Sequence, residues 1–254
     1  MSDKKVLRDF TSKNILYFKT LPSTQSYALD WISKNKPKDK TAILTYNQSQ
    51  GKGQLGATWL SKPEKNIAVS YILCPEDLHI EDRFLLAKMS ALVIREFLAA
   101  LIPSKVMVKW PNDIIVNQKK IAGILINNTF QGNKLNCSVI GMGININQAV
   151  FPIEIPDASS VFQETKIEHN LDELLLSLTD ILDDYYLLLK SKQYLKIDEL
   201  YLNHLLGYHS TFHFMLNDQI NEGEILAIDQ DGKVLIKTNH SEKYYDLKEI
   251  KILR

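Results

Sequence analysis

Residues 105–125 read KVMVKWPNDIIVNQKKIAGIL. Short apolar runs here alternate with turn chemistry, so Lys105–Lys109, Ile114–Val116 and Ile121–Ile126 are predicted strands. Pro111 restricts Trp110 to an extended or turn geometry. Asn112 and Asp113 then stand at a turn beside Lys109. The stretch between Ile115 and Lys120 predicts a hairpin, which brings Lys120 back near Asp113. A carboxylate between two ammonium groups suits a reactive site. The same residues also suit an Asx turn with an exposed lysine.

Upstream, Asn14–Thr20 reads as a strand, and Ser23 or Thr24 caps a helix that reaches about Asn35 before Pro37. Thr41–Tyr46 and Asn66–Leu73 are further strands. Glu81 to about Leu101 is a helix, apolar nearly all round and therefore buried. Downstream, Leu135–Ile146 is a strand. Asn170 and Glu173 form a capping box ahead of apolar residues at helical spacing. A second helix, about Lys192–Leu206, ends at Gly207. Short alternating strands follow, with a turn at Asp231-Gly232. The expected layout is a mixed α/β domain over 1–206 and a small β-domain over 207–254.

The chain has 254 residues, with 30 basic and 30 acidic side chains. A net charge of zero argues against general nucleic-acid binding, which needs a clustered basic surface. The balance is uneven, however: residues 1–140 carry 20 basic and 11 acidic side chains, residues 141–254 carry 10 and 19. The first part is suited to handling an anion. No apolar run approaches the roughly 20 residues that span a bilayer. Met1-Ser2-Asp3-Lys4-Lys5 leads into no apolar segment, so a cytoplasmic protein without membrane attachment is expected. Cys74 and Cys137 are then expected as reduced, structural thiols. Of six histidines, only His204, His209 and His213 cluster. No cysteine joins them, and no metal site is expected.

Gly51-Lys52-Gly53-Gln54-Leu55-Gly56 matches the spacing of a dinucleotide fingerprint. The match is rejected, because Ala57–Pro63 is a poor helix start and that fingerprint opens a helix. Three glycines still allow backbone N–H groups to face one anion, with Lys52 adding charge. A glycine-rich hairpin anchored by Trp59 is the competing reading. Gly141 and Gly143 share one strand face and leave room there for a ligand or a crossing backbone, and Asn145 continues that face. Ser23 and Thr24 suit N-capping or donation to a small polar ligand.

In order, these segments resemble the catalytic region of biotin–protein ligases. The resemblance runs from about Asn14 to Asn147. Its carriers are Ser23-Thr24, Gln48, the Gly51–Gly56 loop with Trp59, Asn66, Ser70, Lys109–Asp113, Lys120–Leu125 and Gly141–Asn147. It implies a class II synthetase-type α/β catalytic domain with a mixed sheet and a C-terminal SH3-like β-barrel. It also implies a two-step reaction. Biotin attacks the α-phosphate of ATP to give biotinyl-5′-AMP, and a carrier lysine then takes the biotinyl group.

By that resemblance, Lys120, Asp113 and Lys52 are catalytic. Ser23, Thr24, Gln48, Gly51, Lys52, Gly53, Gln54, Ser70, Lys120, Gly123, Leu125 and Gly141 hold biotin. Gln54, Trp59, Asn66, Lys109, Asn112 and Asn145 hold the nucleotide. ATP and Mg²⁺ are the implied cofactors, without a protein-built metal site, and a biotin carboxyl carrier protein is the implied partner. A homodimer is a further expectation. Too few residues precede the first strand for a winged helix, so a ligase without DNA binding is expected. The sequence departs from the family in two places. Gln25 replaces the usual asparagine after Ser-Thr, and Gln54, Leu55 and Ala57 replace charged loop residues. Weaker retention of the adenylate follows from the neutral Gln54. A lipoate–protein ligase and a non-catalytic biotin or nucleotide binder are the alternative readings.

Overall fold

The computed structural model describes Phe10, residues 13–239 and residues 241–253. Met1–Lys5 and His240 lie outside the described residues. The chain runs β1 (Ile15–Tyr17), α1 (Thr24–Lys34), β2 (Thr41–Thr45), β3 (Gly51–Lys52), β4 (Thr58–Trp59) and β5 (Asn66–Leu73). Then come α2 (Phe84–Ala99), β6 (Val106–Lys109), β7 (Asp113–Val116), β8 (Lys119–Gln131) and β9 (Lys134–Asn145). Three helices follow, α3 (Val161–Thr165), α4 (Leu171–Lys190) and α5 (Tyr194–Asn203). The last strands are β10 (Thr211–Leu216), β11 (Gln219–Ile228), β12 (Val234–Lys237), β13 (Glu242–Tyr245) and β14 (Ile250–Ile252). Two compact units result, one from the described residues up to 80 with 121–179, the other from 81–120 with the residues after 179.

The first unit orders its strands β1-β2-β5-β9-β8. Only β1 and β2 run parallel in this group, so the sheet is mixed. Every residue of β2 and β5 is buried. Helix α1 starts where Ser23 caps it, its Oγ accepting from Ser26 N–H. Ala28 of α1 packs with Ile43, Ile72, Cys137 and Val139, so α1 covers one end of one sheet face. At the N-terminus of α1 the same face continues as Ser70, Ala68 and Asn66 on β5. On the opposite face Tyr71 reaches Thr179 of α4 through their hydroxyls. Asn170 caps α4 as expected, accepting from Asp172 N–H and donating to Glu173.

In the second unit, α2 packs against α5, β6 and β7. β6 and β7 form an antiparallel hairpin that pairs Lys109 with Asp113. On its other side, Val108 bridges to Leu205. Asn117 and Gln118 both adopt positive φ, the geometry of a two-residue hairpin turn into β8. The C-terminal strands make one antiparallel sheet in the order β13-β12-β11-β10-β14. The Asp231-Gly232 turn falls between β11 and β12 as expected.

Three differences from the sequence reading have local causes. Helix α2 begins at Phe84, because Ile80–Asp82 makes a separate 3₁₀ turn. Helix α5 stops at Asn203, and Gly207 serves a later turn at φ +84°. Helix α3 escaped notice because five residues are too few for periodicity to show.

The reading of Cys74 and Cys137 as free thiols is corrected: they form a disulfide. Leu73 pairs with Ser138 across β5 and β9, so the register sets Cys74 beside Cys137 with their Cα atoms 4.1 Å apart. A separation of 63 residues conceals this in the sequence. Among the described residues, no helix is long and apolar enough to cross a membrane.

Candidate active site

The α1 face of the first sheet carries a buried polar row. Gln48 Oε1 accepts from Thr24 N–H at 2.9 Å and from Thr24 Oγ1 at 3.3 Å. Ser70 Oγ lies 2.9 Å from Thr24 Oγ1 and 3.1 Å from Gln25 Oε1, and donates to either. Gln25 Nε2 donates to Asn127 Oδ1 and to the Val139 carbonyl. Ser23, Thr24, Gln25 and Ser70 are all buried. Because Thr24 saturates Gln48 Oε1, the Gln48 amide NH₂ is the end of the row with donors to offer.

Register places the small residues of this face in two ranks. Ser70, Gly141 and Leu125 lie side by side, and so do Ala68, Gly143 and Gly123. The space above the two β9 glycines is filled by the chain itself. A Cβ on Gly141 would stand 2.5 Å from Gln25 Oε1, and one on Gly143 would stand 2.5 Å from the Trp59 ring. Trp59 therefore packs flat against backbone, as the anchored-hairpin reading had it.

The glycine loop is a closed hairpin. β3 pairs with β4, matching Gly51 with Trp59 and Lys52 with Thr58. A side chain at Gly51 would collide with the Trp59 carbonyl and the Gln48 amide. No helix opens after Gly56, in keeping with the rejected dinucleotide fingerprint. The Gly53 N–H donates to the Ala57 carbonyl at 2.7 Å, so it is not turned outward to an anion. Lys52 is exposed and Gln54 half-buried at the rim.

Asn66 and Asn145 face one another across β5 and β9 but differ in role. Asn66 donates to Ser61 and Gln148 and accepts from Ile146 N–H, so it holds the strand ends together. Asn145 donates to the Ser159 carbonyl, while its buried Oδ1 has no partner among the described residues. That atom is an acceptor ready for an N–H donor. Asn127, Gln148 and Ser159 escaped the sequence reading. They lie up to 102 residues from their partners, and no local signal marks them.

In the second unit, Asp113 lies 2.5 Å from Lys120 Nζ and 3.6 Å from Lys109 Nζ. Two ammonium groups on one carboxylate leave a net positive cluster, suited to an anion. Asn112 stands in the turn between Lys109 and Asp113. Lys120 is the second residue of β8, the strand that carries Gly123 and Leu125.

A family model described as the biotin/lipoate A/B protein ligase family matches residues 17–145, a span that holds every group above except Ile146, Gln148 and Ser159. The chain belongs to the biotin/lipoate protein ligase family. Among members of that family, the bifunctional ligase/repressor BirA of Bacillus subtilis is 28% identical over 238 residues, 91% of this chain and 71% of that protein. The biotin–[acetyl-CoA-carboxylase] ligase of Mycobacterium tuberculosis is 28% identical over 144 residues, 55% of this chain and 51% of that protein. The biotin protein ligase of Aquifex aeolicus, solved in complex with biotin and ATP, superposes with a TM-score of 0.78 at 25% identity. That match covers 95% of this chain and 99% of the other. The expected fold class, a mixed α/β ligase domain with a C-terminal β-domain, is the one observed.

Proposed function

We infer that this biotin/lipoate-family chain is an ATP-dependent biotin–protein ligase. It activates biotin as biotinyl-5′-AMP and transfers it to a lysine of a biotin carboxyl carrier protein. The observation that carries the choice between biotin and lipoate is the polar row of Thr24, Gln48 and Ser70. The ureido ring of biotin has N–H donors and a carbonyl to match such groups. The dithiolane ring of lipoate has neither, and would leave the Gln48 amide donors without a ligand partner at a cost of about 1–3 kcal/mol. The relatives named as biotin–[acetyl-CoA-carboxylase] ligases support the carrier of a carboxylase as the acceptor.

The first step joins two anions, so the chain must supply positive charge. Lys120 and Lys109 provide it, with Lys52 at the loop rim. A biotin carboxylate oxygen attacks the α-phosphorus and pyrophosphate leaves. The Asn145 acceptor takes the adenine amino group, and Trp59 lines the nucleotide. In the second step the carrier lysine attacks the biotinyl carbonyl carbon and AMP leaves. Asp113 orients that lysine and receives its proton. Among the described residues no cluster of three His, Cys, Asp or Glu side chains is placed to hold a metal. Mg²⁺ would be carried by the ATP phosphates, where it would neutralise charge. We place the reaction in the cytoplasm, where ATP and carrier occur together, and keep the domain boundary near Gly207, just ahead of β10.

ATP–pyrophosphate exchange tests this with biotin and lipoate side by side, in wild type and Lys120→Ala. Biotin-dependent exchange that is lost in the variant is the expected result. Exchange with lipoate instead would move the chain to the sister activity. Biotin binding without exchange would make it a binder.

A further inference from the structure

The Lys109–Asp113 loop is held by a part of the chain that the reaction scheme does not use. Lys109 and Asp113 are register partners, so Trp110, Pro111 and Asn112 form the tip of their hairpin. The Trp110 ring is buried, and its Nε1–H donates to the Gly232 carbonyl at 2.8 Å. Gly232 belongs to the turn between β11 and β12 in the C-terminal sheet.

That turn is built to present its carbonyl in one place. Asp229 Oδ1 accepts from the N–H groups of Asp231 at 2.9 Å and Lys233 at 2.8 Å. Asp231 is paired with Arg83 at 2.7 Å. Gly232 sits at φ +90°, and a Cβ there would collide with the Phe84 ring. A hydrophobic anchor alone needs no donor, and phenylalanine would fill such a space. The indole N–H aimed at one carbonyl of an over-determined turn sets the rotation of the ring as well as its depth. Asp113 stands three residues on, at the other end of the hairpin tip.

We propose that the Asp229–Lys233 turn is a positioning device for Asp113, acting through Trp110 as a positioning residue. This rests on the ligase reading above. It assigns the C-terminal sheet a part in the transfer step, since Asp113 is the group that orients and deprotonates the incoming lysine.

The test is Trp110→Phe in the full chain, which keeps the ring and removes the donor. Single-turnover transfer from preformed biotinyl-5′-AMP to a biotin carboxyl carrier domain is measured from pH 6 to 9, beside ATP–pyrophosphate exchange. Transfer is expected to slow about tenfold and its pH midpoint to rise by about one unit, because a misplaced carboxylate helps deprotonation less. Exchange is expected to fall less than threefold. Gly232→Ala is expected to act in the same direction and more strongly. A Trp110→Phe protein that melts earlier but keeps the wild-type midpoint and the wild-type ratio of transfer to exchange would overturn the proposal. Wild-type protein without biotin-dependent exchange would instead overturn the ligase reading itself.

Discussion

Asn66 and Asn145 are direct cross-strand partners, yet Asn66 spends its side chain on the chain itself while Asn145 keeps a buried Oδ1 unpaired. Identical residues in one register pair thus differ: the fold engages both ends of the Asn66 amide and leaves Asn145 with an unpaired acceptor. Asn145→Ala is expected to raise the KM for ATP about tenfold, the worth of one buried hydrogen bond, and to leave the melting temperature nearly unchanged. Asn66→Ala is expected to do the reverse. It strands the Ile146 N–H, and should lower Tm by about 2–8 °C. Steady-state kinetics and calorimetry on both variants check the division. Equal effects on KM would contradict it.

Gln54 lies half-buried at the rim of the loop, where a guanidinium would add both charge and a second donor. Gln54→Arg is expected to slow release of biotinyl-5′-AMP about five- to tenfold, the effect of one charge-assisted hydrogen bond near the surface. Release into a trap solution measures the off-rate. An unchanged rate would remove the loop substitution as a cause of weak retention.

Gly141 is required because Gln25 Oε1 already occupies the place of a Cβ, 2.5 Å away. Gly141→Ala is expected to cost about 1–3 kcal/mol by overpacking. Gln25→Ala frees that space, so the double variant should be more stable than the sum of the two single changes implies. Chemical denaturation of the four proteins gives the coupling. Strict additivity would mean that the two side chains do not compete.

Burial lowers the His204 imidazole below its ordinary pKa, and the Arg95 and Lys105 charges lower it further. The unfolded chain therefore takes up this proton first, near pH ~6.5. The contribution of His204 to stability is full above that value and declines as pH falls towards its folded pKa. His204→Gln is expected to flatten the stability profile between about pH 7 and 5 and to leave it unchanged near pH 8. Parallel profiles for the two proteins would refute this assignment. The backbone bond from Val108 N–H to the His204 carbonyl is common to both.

Much of this chain was legible locally. The cap at Ser23, the capping box at Asn170, the β7–β8 turn and the strand β9 are written in adjacent residues, since caps and turns are short-range chemistry. The motif residues of the resemblance were readable for the same reason, and so was the nearness of Asp113 and Lys120, which one hairpin enforces. Tertiary structure alone decided the rest. Register between strands far apart in sequence joined Cys74 to Cys137, set Asn145 opposite Asn66, and gave Gln25 and Trp59 the spaces left by two glycines. It also brought the Gly232 carbonyl to Trp110 across 122 residues. Such contacts depend on how sheets and helices stack, and residue type and spacing along the chain carry no record of that.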